Sequence, residues 1–156
     1  MVSWREFARA EPEFAARVRA SFDAGRHKTI ATLRADGSPR ISGIECEITD
    51  DDVRFGSMTG ARKGDDLHRD ARFALHGPTF HPAEGREADW PGEAKISGRA
   101  VPAGPVHTDT SADTPGGEFF VGDIVEVVMT GLDDTASVLV VESWTPSLGY
   151  RRVERA

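Results

Sequence analysis

The first 25 residues place their hydrophobic positions at helical spacing. A Ser-x-x-Glu pattern at residues 3–6 fits a capping box, in which two side chains satisfy free N–H groups at a helix start. Pro12 suits the first turn of a second helix, and Gly25 supplies a stop. The apolar residues that lie four apart after this proline are Phe14, Val18 and Phe22. The segment is therefore predicted to form helices with one buried face.

After this segment the pattern changes to the alternation that is typical of β-strands. Ile44, Cys46 and Ile48 share one face of a strand, and polar residues or glycine lie between them. Asp36-Gly37 stands between two such runs and is a strong hairpin signal. The predicted strands cover residues 28–34, 40–48, 53–57, 72–76, 93–101, 119–130 and 137–144. With one short helix after residue 64, the chain is predicted to be mainly β.

Two stretches interrupt the alternation. Residues 77–92 contain three prolines, and residues 102–117 contain three more among many Gly, Ser, Thr and Asp residues. This composition predicts loops, and loops of such length in a compact domain are often functional.

Two later runs are apolar on both faces of their strands. They are Ile124-Val125 and the four residues 138–141. Strands that are buried on both sides indicate a closed barrel whose outer face meets a further layer. In a chain of 156 residues that layer is often a second copy, so we expect a homodimer.

Composition and charge exclude several classes of function. The formal net charge of −7 argues against general binding of nucleic acid, which needs a basic surface. Apolar runs are too short to span a membrane, and the N-terminus does not resemble a signal peptide. Cys46 is the single cysteine, so no disulfide can form within the chain and a cytoplasmic location is expected.

The segment from Gly56 to Gly64 carries the most informative chemistry. Its sequence, Gly-Ser-Met-Thr-Gly-Ala-Arg-Lys-Gly, follows a short strand and precedes the predicted helix. Glycines, hydroxyl groups and cations at a helix start are a recurring means of holding a phosphate. The spacing does not fit a P-loop, because Gly64 stands where that motif has Ser or Thr after its lysine. The alternative interpretation is a glycine-rich turn at a solvated helix start.

Three segments, in this order, resemble the pyridoxamine 5′-phosphate oxidase-like superfamily. They are the hairpin at residues 29–42, the cation segment and following strand at 53–76, and the strand at 93–100. The resemblance implies a split β-barrel of the FMN-binding type with an N-terminal helical segment. It implies one domain over residues 1–156, with helices in 1–25, the barrel in 26–145 and a tail or strand in 146–156.

The resemblance also implies a cofactor site formed by three groups of residues. The basic pair that holds the cofactor's phosphate corresponds to Arg62 and Lys63. The strand end and loop along the ribityl chain and ring edge correspond to Ser57, Met58 and Thr59. The second-strand segment beside the ring corresponds to Arg40, Ile41 and Ser42. The implied cofactor is FMN, with the deazaflavin coenzyme F-420 as the alternative.

A bound flavin carries its own chemistry, and the sequence shows no nucleophile elbow and no metal-ligand spacing. The expected function is a flavin- or deazaflavin-dependent oxidoreductase acting on a small organic substrate whose identity stays open. The alternative is a flavin- or ligand-binding barrel without catalysis. Glu45 stands where true pyridoxamine phosphate oxidase has a lysine, so oxidation of vitamin B6 phosphates is not expected.

Overall fold

The computed structural model describes residues 1–106 and 116–156. The helices are α1 (Trp4–Ala10), α2 (Pro12–Asp23) and α3 (Arg62–Arg69), with a 3₁₀ turn at Glu87–Asp89. The strands are β1 (His27–Leu33), β2 (Pro39–Ile48), β3 (Val53–Met58), β4 (Arg72–His76), β5 (Glu93–Pro105), β6 (Gly117–Leu132), β7 (Leu139–Thr145) and β8 (Gly149–Arg155). Among the described residues the fold is mainly β, as predicted.

The N-terminal helices form as their sequence predicts. Ser3 accepts a hydrogen bond from the Glu6 backbone, and the Glu6 carboxylate accepts from the Ser3 backbone at 2.7 Å. Pro12 occupies the first turn of α2. The residues that this helix buries are Phe14, Ala15, Val18 and Phe22. Phe7 of α1 lies 4.9 Å from Trp144 of β7, measured between ring centroids, so the helices cover part of the sheet.

The strands form a closed antiparallel barrel with an extension. Hydrogen-bonded neighbours follow the order β3-β2-β1-β4-β5-β6-β7-β8, and an additional pairing of β3 with β6 closes the first six into a ring. Inward-facing side chains fill the interior, among them Ile30, Phe55, Ile96 and Phe120, each at most 2% exposed. β7 and β8 continue the sheet beyond the ring.

The ring has a split between β2 and β3. These strands pair only from Cys46 with Phe55 to Ile48 with Val53. Beyond that point β2 pairs with β1, whereas β3 pairs with β6 as far as Met58 with Gly117. The two strands therefore diverge and leave an opening beside the start of α3.

The predicted loop over residues 102–117 is wrong at both ends, because β5 continues to Pro105 and β6 begins at Gly117. Pairing of β4 with β5 ends at Arg72 with Arg99, so within the described residues the later part of β5 pairs with β6 alone. Proline is tolerated on such an edge because its missing N–H is not needed there. A register shift between Pro102 and Gly104 accommodates the irregularity. The rest of that prediction, residues 107–115, lies outside the described residues.

Part of the outer surface of the barrel is apolar. The exposed large residues on its strands include Ile41, Met58, Val101, Phe119 and Val125. Of the two runs predicted to be buried on both faces, Ile124 and Val140 are buried, whereas Val125 is 51% and Leu139 is 36% exposed, so that prediction is wrong at these two positions of the described chain. Among the described residues, no helix is both long enough and apolar enough to cross a membrane.

Candidate functional site

A cleft lies over the split between β2 and β3. It has a volume of ≈ 510 Å³, within the range of about 300–1,000 Å³ that small-molecule sites occupy. We call it the outer cleft, and its wall includes Gly43, Glu45, Ser57, Met58, Lys63 and Phe119. Three of the residues predicted from the sequence, Ser57, Met58 and Lys63, are thus brought together in one place.

Lys63 bridges the opening. It is the second residue of α3, and its Nζ lies 3.4 Å from the carbonyl oxygen of Gly43 on β2, to which it donates. An ammonium at a helix start combines a point charge with the positive end of the helix dipole. Ala61, at the N-cap, provides no side-chain hydrogen bond to the first turn. This end of the cleft is therefore suited to an anion such as a phosphate monoester.

The three predicted site residues at the end of β3 and directly after it differ in exposure. Ser57 is 4% exposed and its hydroxyl lies against α3, where a Cβ at Gly64 would approach its Oγ to 2.7 Å. Met58 is 62% exposed and lines the outer cleft. Thr59 is exposed, and its backbone N–H donates to the Gly116 carbonyl at 2.9 Å. Met58 is thus the residue of this group with most surface available to a ligand.

Arg62 and Arg40 lie on the other side of α3 and line a separate depression of ≈ 610 Å³. Successive helical residues point in different directions, so Arg62 and Lys63 do not converge on one point in this structure. Arg40 donates from Nε to Asp66 at 2.6 Å. Of the second-strand segment, Ile41 is 76% exposed and Ser42 is half-buried, and neither is among the residues that line the outer cleft.

Asp66 fixes this side of α3 to the barrel. It is 2% exposed, and its carboxylate accepts hydrogen bonds from Thr32 Oγ1 at 2.8 Å, from Arg40 and from Arg69 at 2.7 Å. Burial alone would raise the pKa of Asp66, but these bonds outweigh it and lower the pKa to about 2. The ionised carboxylate therefore holds Arg40 in place.

The backbone around the split has room for a flat ring. A Cβ built on Gly43 would meet nothing within 4 Å, and one on Gly56 would come no closer than 3.7 Å to another residue. Two adjacent strands thus present backbone without side chains toward the outer cleft. The edge of β2 that faces the split has no strand partner in the described chain before Cys46, and the Gly43 carbonyl there accepts from Lys63 instead of from a strand. These features fit a flavin-type ring.

A second cavity of ≈ 450 Å³ adjoins the outer cleft and shares Glu45, Gly56 and Phe119 with it. We call it the inner cavity, and Lys28 and Cys46 contribute to its wall. Lys28 was not predicted as a site residue, although it lies on the same strand face as Ile30 and Thr32, where a cation is unusual. Burial raises the pKa of the Cys46 thiol to about 11, so it is not an activated nucleophile.

The outer cleft is not lined by His76, Trp90 or Trp144. His76 donates from Nδ1 to the Gly77 carbonyl at 2.7 Å and lies 3.2 Å from the Glu93 carboxylate. Trp144 is 6% exposed in the core, and Trp90 lines a different depression beside Arg17. Within residues 1–106 and 116–156, no group of three His, Cys, Asp or Glu side chains could hold a metal ion.

Solved structures share this fold. A pyridoxamine 5′-phosphate oxidase-related, FMN-binding protein from Nostoc punctiforme superposes with a TM-score of 0.61 and 11% identity, covering 94% of this chain and 96% of the other. PhzG from Burkholderia lata, in complex with tetrahydrophenazine-1-carboxylic acid, gives 0.59 and 15% identity over 92% and 86%. A haem-binding protein from Mycobacterium smegmatis gives 0.50 and 13% identity over 99% and 88%.

No protein-family model matches the sequence, and no curated protein does. The strand order and the solved structures nevertheless show that the chain has the split β-barrel fold of the pyridoxamine 5′-phosphate oxidase-related proteins. This confirms the resemblance at the level of the fold. Proteins with this fold hold different groups, so the cofactor has to be argued from the cleft.

Proposed function

We propose that this chain binds FMN in the outer cleft and uses it as an oxidoreductase on a small organic substrate. The observation that carries the proposal is the position of Lys63 across the split, beside two strands that present bare glycine backbone. The ammonium and the start of α3 would hold the phosphate, and the ring would lie against Gly43 and Gly56. The FMN-binding protein from Nostoc with the same fold supports this choice of cofactor.

In this proposal the flavin supplies hydride transfer, and the chain binds, orients and shields it. Phe119 and Met58, both on the wall of the outer cleft, would cover apolar ring surface and exclude water. Glu45 is tied to Arg26 by a 2.8 Å hydrogen bond, which lowers the pKa of its carboxyl, so it stays an acceptor at neutral pH. We thus propose an enzyme and not a protein that only carries the flavin.

The absorbance spectrum of the purified protein tests the cofactor assignment. FMN gives flavin bands, and mass spectrometry of the group released on denaturation distinguishes FMN from a deazaflavin. Cofactor-free protein is titrated with FMN, and the quenching of flavin fluorescence during the titration gives the affinity for FMN. Haem bands, or no binding of either flavin at micromolar concentration, would contradict the proposal.

A further inference from the structure

The proposed function leaves one ionisable side chain on the described wall of the outer cleft without a role. His27, the first residue of β1, is exposed and lines this cleft together with Glu45 and Lys63. β1 and β2 are antiparallel here, and His27 lies directly opposite Glu45. Residues opposite each other in such a pair have Cβ atoms about 4.5–5.5 Å apart and side chains on one face of the sheet. An imidazole and a carboxylate therefore stand side by side on this wall.

His27 and Lys63 lie at different ends of the outer cleft. Lys63 donates to the Gly43 carbonyl, at the end that is assigned to a phosphate. Glu45, with His27 opposite it, comes two residues after Gly43 on β2, which is roughly 6.5 Å farther along the strand. A ligand whose phosphate is held by Lys63 and whose ring lies along β2 would therefore extend toward His27.

His27 is also the wall residue best able to give up a proton. A hydrogen bond from Arg26 lowers the pKa of the Glu45 carboxyl, which is therefore ionised at neutral pH. Lys63 is engaged at the other end, and the Ser57 hydroxyl is buried against α3. The other described wall residues are Gly, Ile, Met, Val or Phe, whose side chains have no proton to transfer. Imidazole side chains exchange protons readily near neutral pH, and the exposure of His27 lets water return the proton.

We propose that His27 is the proton donor of this site and protonates the acceptor that the bound flavin reduces. The inference rests on the proposed function, because a reduced flavin is the reductant. Reduction of a polarised double bond needs two electrons and two hydrogens. The electron-poor atom of the bond accepts hydride from the reduced flavin, and the other atom accepts the proton of the His27 imidazolium. The double bond thereby becomes a single bond, the flavin is left oxidised, and His27 regains its proton from water.

Nuclear magnetic resonance of the histidine ring C–H groups tests, without turnover, whether His27 borders the bound flavin. The His27 signals are identified by their loss in His27→Gln. FMN should shift these signals in the wild type and should not move those of His81, which is exposed and lines a different depression. FMN that binds without shifting the His27 signals would overturn the proposal.

The proton transfer is tested on the FMN-loaded protein, photoreduced without oxygen and then mixed with an acceptor. The first acceptor, 2-cyclohexenone, needs a hydride and a proton and is uncharged, so the Glu45 carboxylate does not repel it. The second, ferricyanide, takes single electrons and no proton. His27→Gln should slow reoxidation by 2-cyclohexenone roughly 100- to 10,000-fold and leave reoxidation by ferricyanide unchanged. His81→Gln is the matched control and should behave as the wild type with both acceptors.

Equal slowing with both acceptors would overturn the proposal, because the substitution would then disturb the flavin and not the proton transfer. Unchanged reoxidation of His27→Gln by 2-cyclohexenone would overturn it as well. Imidazole added to His27→Ala should restore the reaction with 2-cyclohexenone in proportion to its concentration, and a lack of rescue would contradict the assignment. Failure of the wild type to bind FMN would remove the proposed function and this inference together. A wild type that binds FMN but, once reduced, leaves 2-cyclohexenone unreacted would remove the inference and leave FMN binding standing.

Discussion

At the scale of single residues, Lys63 is the side chain on which the proposed cofactor site depends. Removing one charge-assisted bond to a phosphate costs about 1.5–3 kcal/mol, which is roughly ten- to a hundredfold in affinity. Lys63→Ala should therefore weaken FMN binding by that factor and leave riboflavin, which lacks the phosphate, nearly unaffected. Fluorescence titration with both ligands measures the difference.

Arg62→Ala is the control for this prediction, because Arg62 is the adjacent cation and does not line the outer cleft. It should weaken FMN binding less than Lys63→Ala does. An equal loss of affinity for FMN and riboflavin in Lys63→Ala would show that the lysine does not contact the phosphate.

Asp66 is the residue that holds α3 and Arg40 together. Asp66→Asn should lower the free energy of unfolding by about 1.5–3 kcal/mol, because hydrogen bonds from two arginines lose their charged acceptor. The lowered pKa of Asp66 sets the pH range in which this stabilisation is lost. The contribution of the carboxylate is complete above about pH 4, its ordinary range, and is lost as the pH falls through about 2.

Urea unfolding of the wild type and of Asp66→Asn at several pH values measures the difference in their free energies of unfolding. The difference in stability should be constant near neutrality and should shrink between pH 4 and pH 2. Asp65→Asn, at the exposed neighbouring position of the same helix, should change stability little. A constant difference down to pH 2 would mean that the ionised form of Asp66 is not what stabilises the fold.

At the scale of elements, the β5–β6 pair depends on a glycine at a register shift. A Cβ on Gly98 would lie 2.0 Å from the backbone carbonyl oxygen of Asp123, next to an irregularity between Ser97 and Gly98. Gly98→Ala should therefore force the strands apart and lower the free energy of unfolding by about 1–3 kcal/mol.

Gly131→Ala is the matched control, because Gly131 lies on β6 where it pairs with β7, and a Cβ there would meet nothing within 4 Å. Thermal or urea unfolding of both variants tests the prediction. If the two variants were equally stable, the close approach of the strands at Gly98 would not be a constraint.

The elements that the sequence predicts best are those whose signals are local. The capping box at Ser3, the Phe14–Val18–Phe22 face and the Asp36-Gly37 hairpin each depend on a few neighbouring residues, and all three form. The continuation of β5 through Pro102 to Pro105 was missed, because it depends on which strand lies beside it. The split is likewise invisible in the sequence, since it arises from where pairing between β2 and β3 ends. Lys63 was therefore predictable as a cation at a helix start, whereas the position of the outer cleft over the split was not.

At the scale of the whole molecule, the exposed apolar surface supports the prediction of a homodimer. Val101, Phe119 and Val125 are 36–51% exposed on the outer faces of β5 and β6, and Phe119 also lines the outer cleft. A stable interface needs such apolar area at its centre. We expect light scattering at micromolar concentration to give the mass of a dimer.

Val101→Glu should shift the measured mass toward the monomer, because a carboxylate would enter the centre of the interface. Ala35→Glu, which adds the same charge in the exposed turn between β1 and β2, should remain dimeric. A monomeric wild type would contradict the prediction.

The closure of the ring through β3 and β6 has a consequence for the order of folding. The pairing of Arg54 with Val121 joins segments far apart in sequence, so its loop-closure entropy is larger than that of the hairpin of β1 and β2. The outer cleft includes residues from both sides of this closure, Ser57 and Phe119 among them, so it is complete only once the ring is closed. A ligand in the cleft should then slow the unfolding rate while leaving the refolding rate nearly unchanged, because the binding site is absent until the last step.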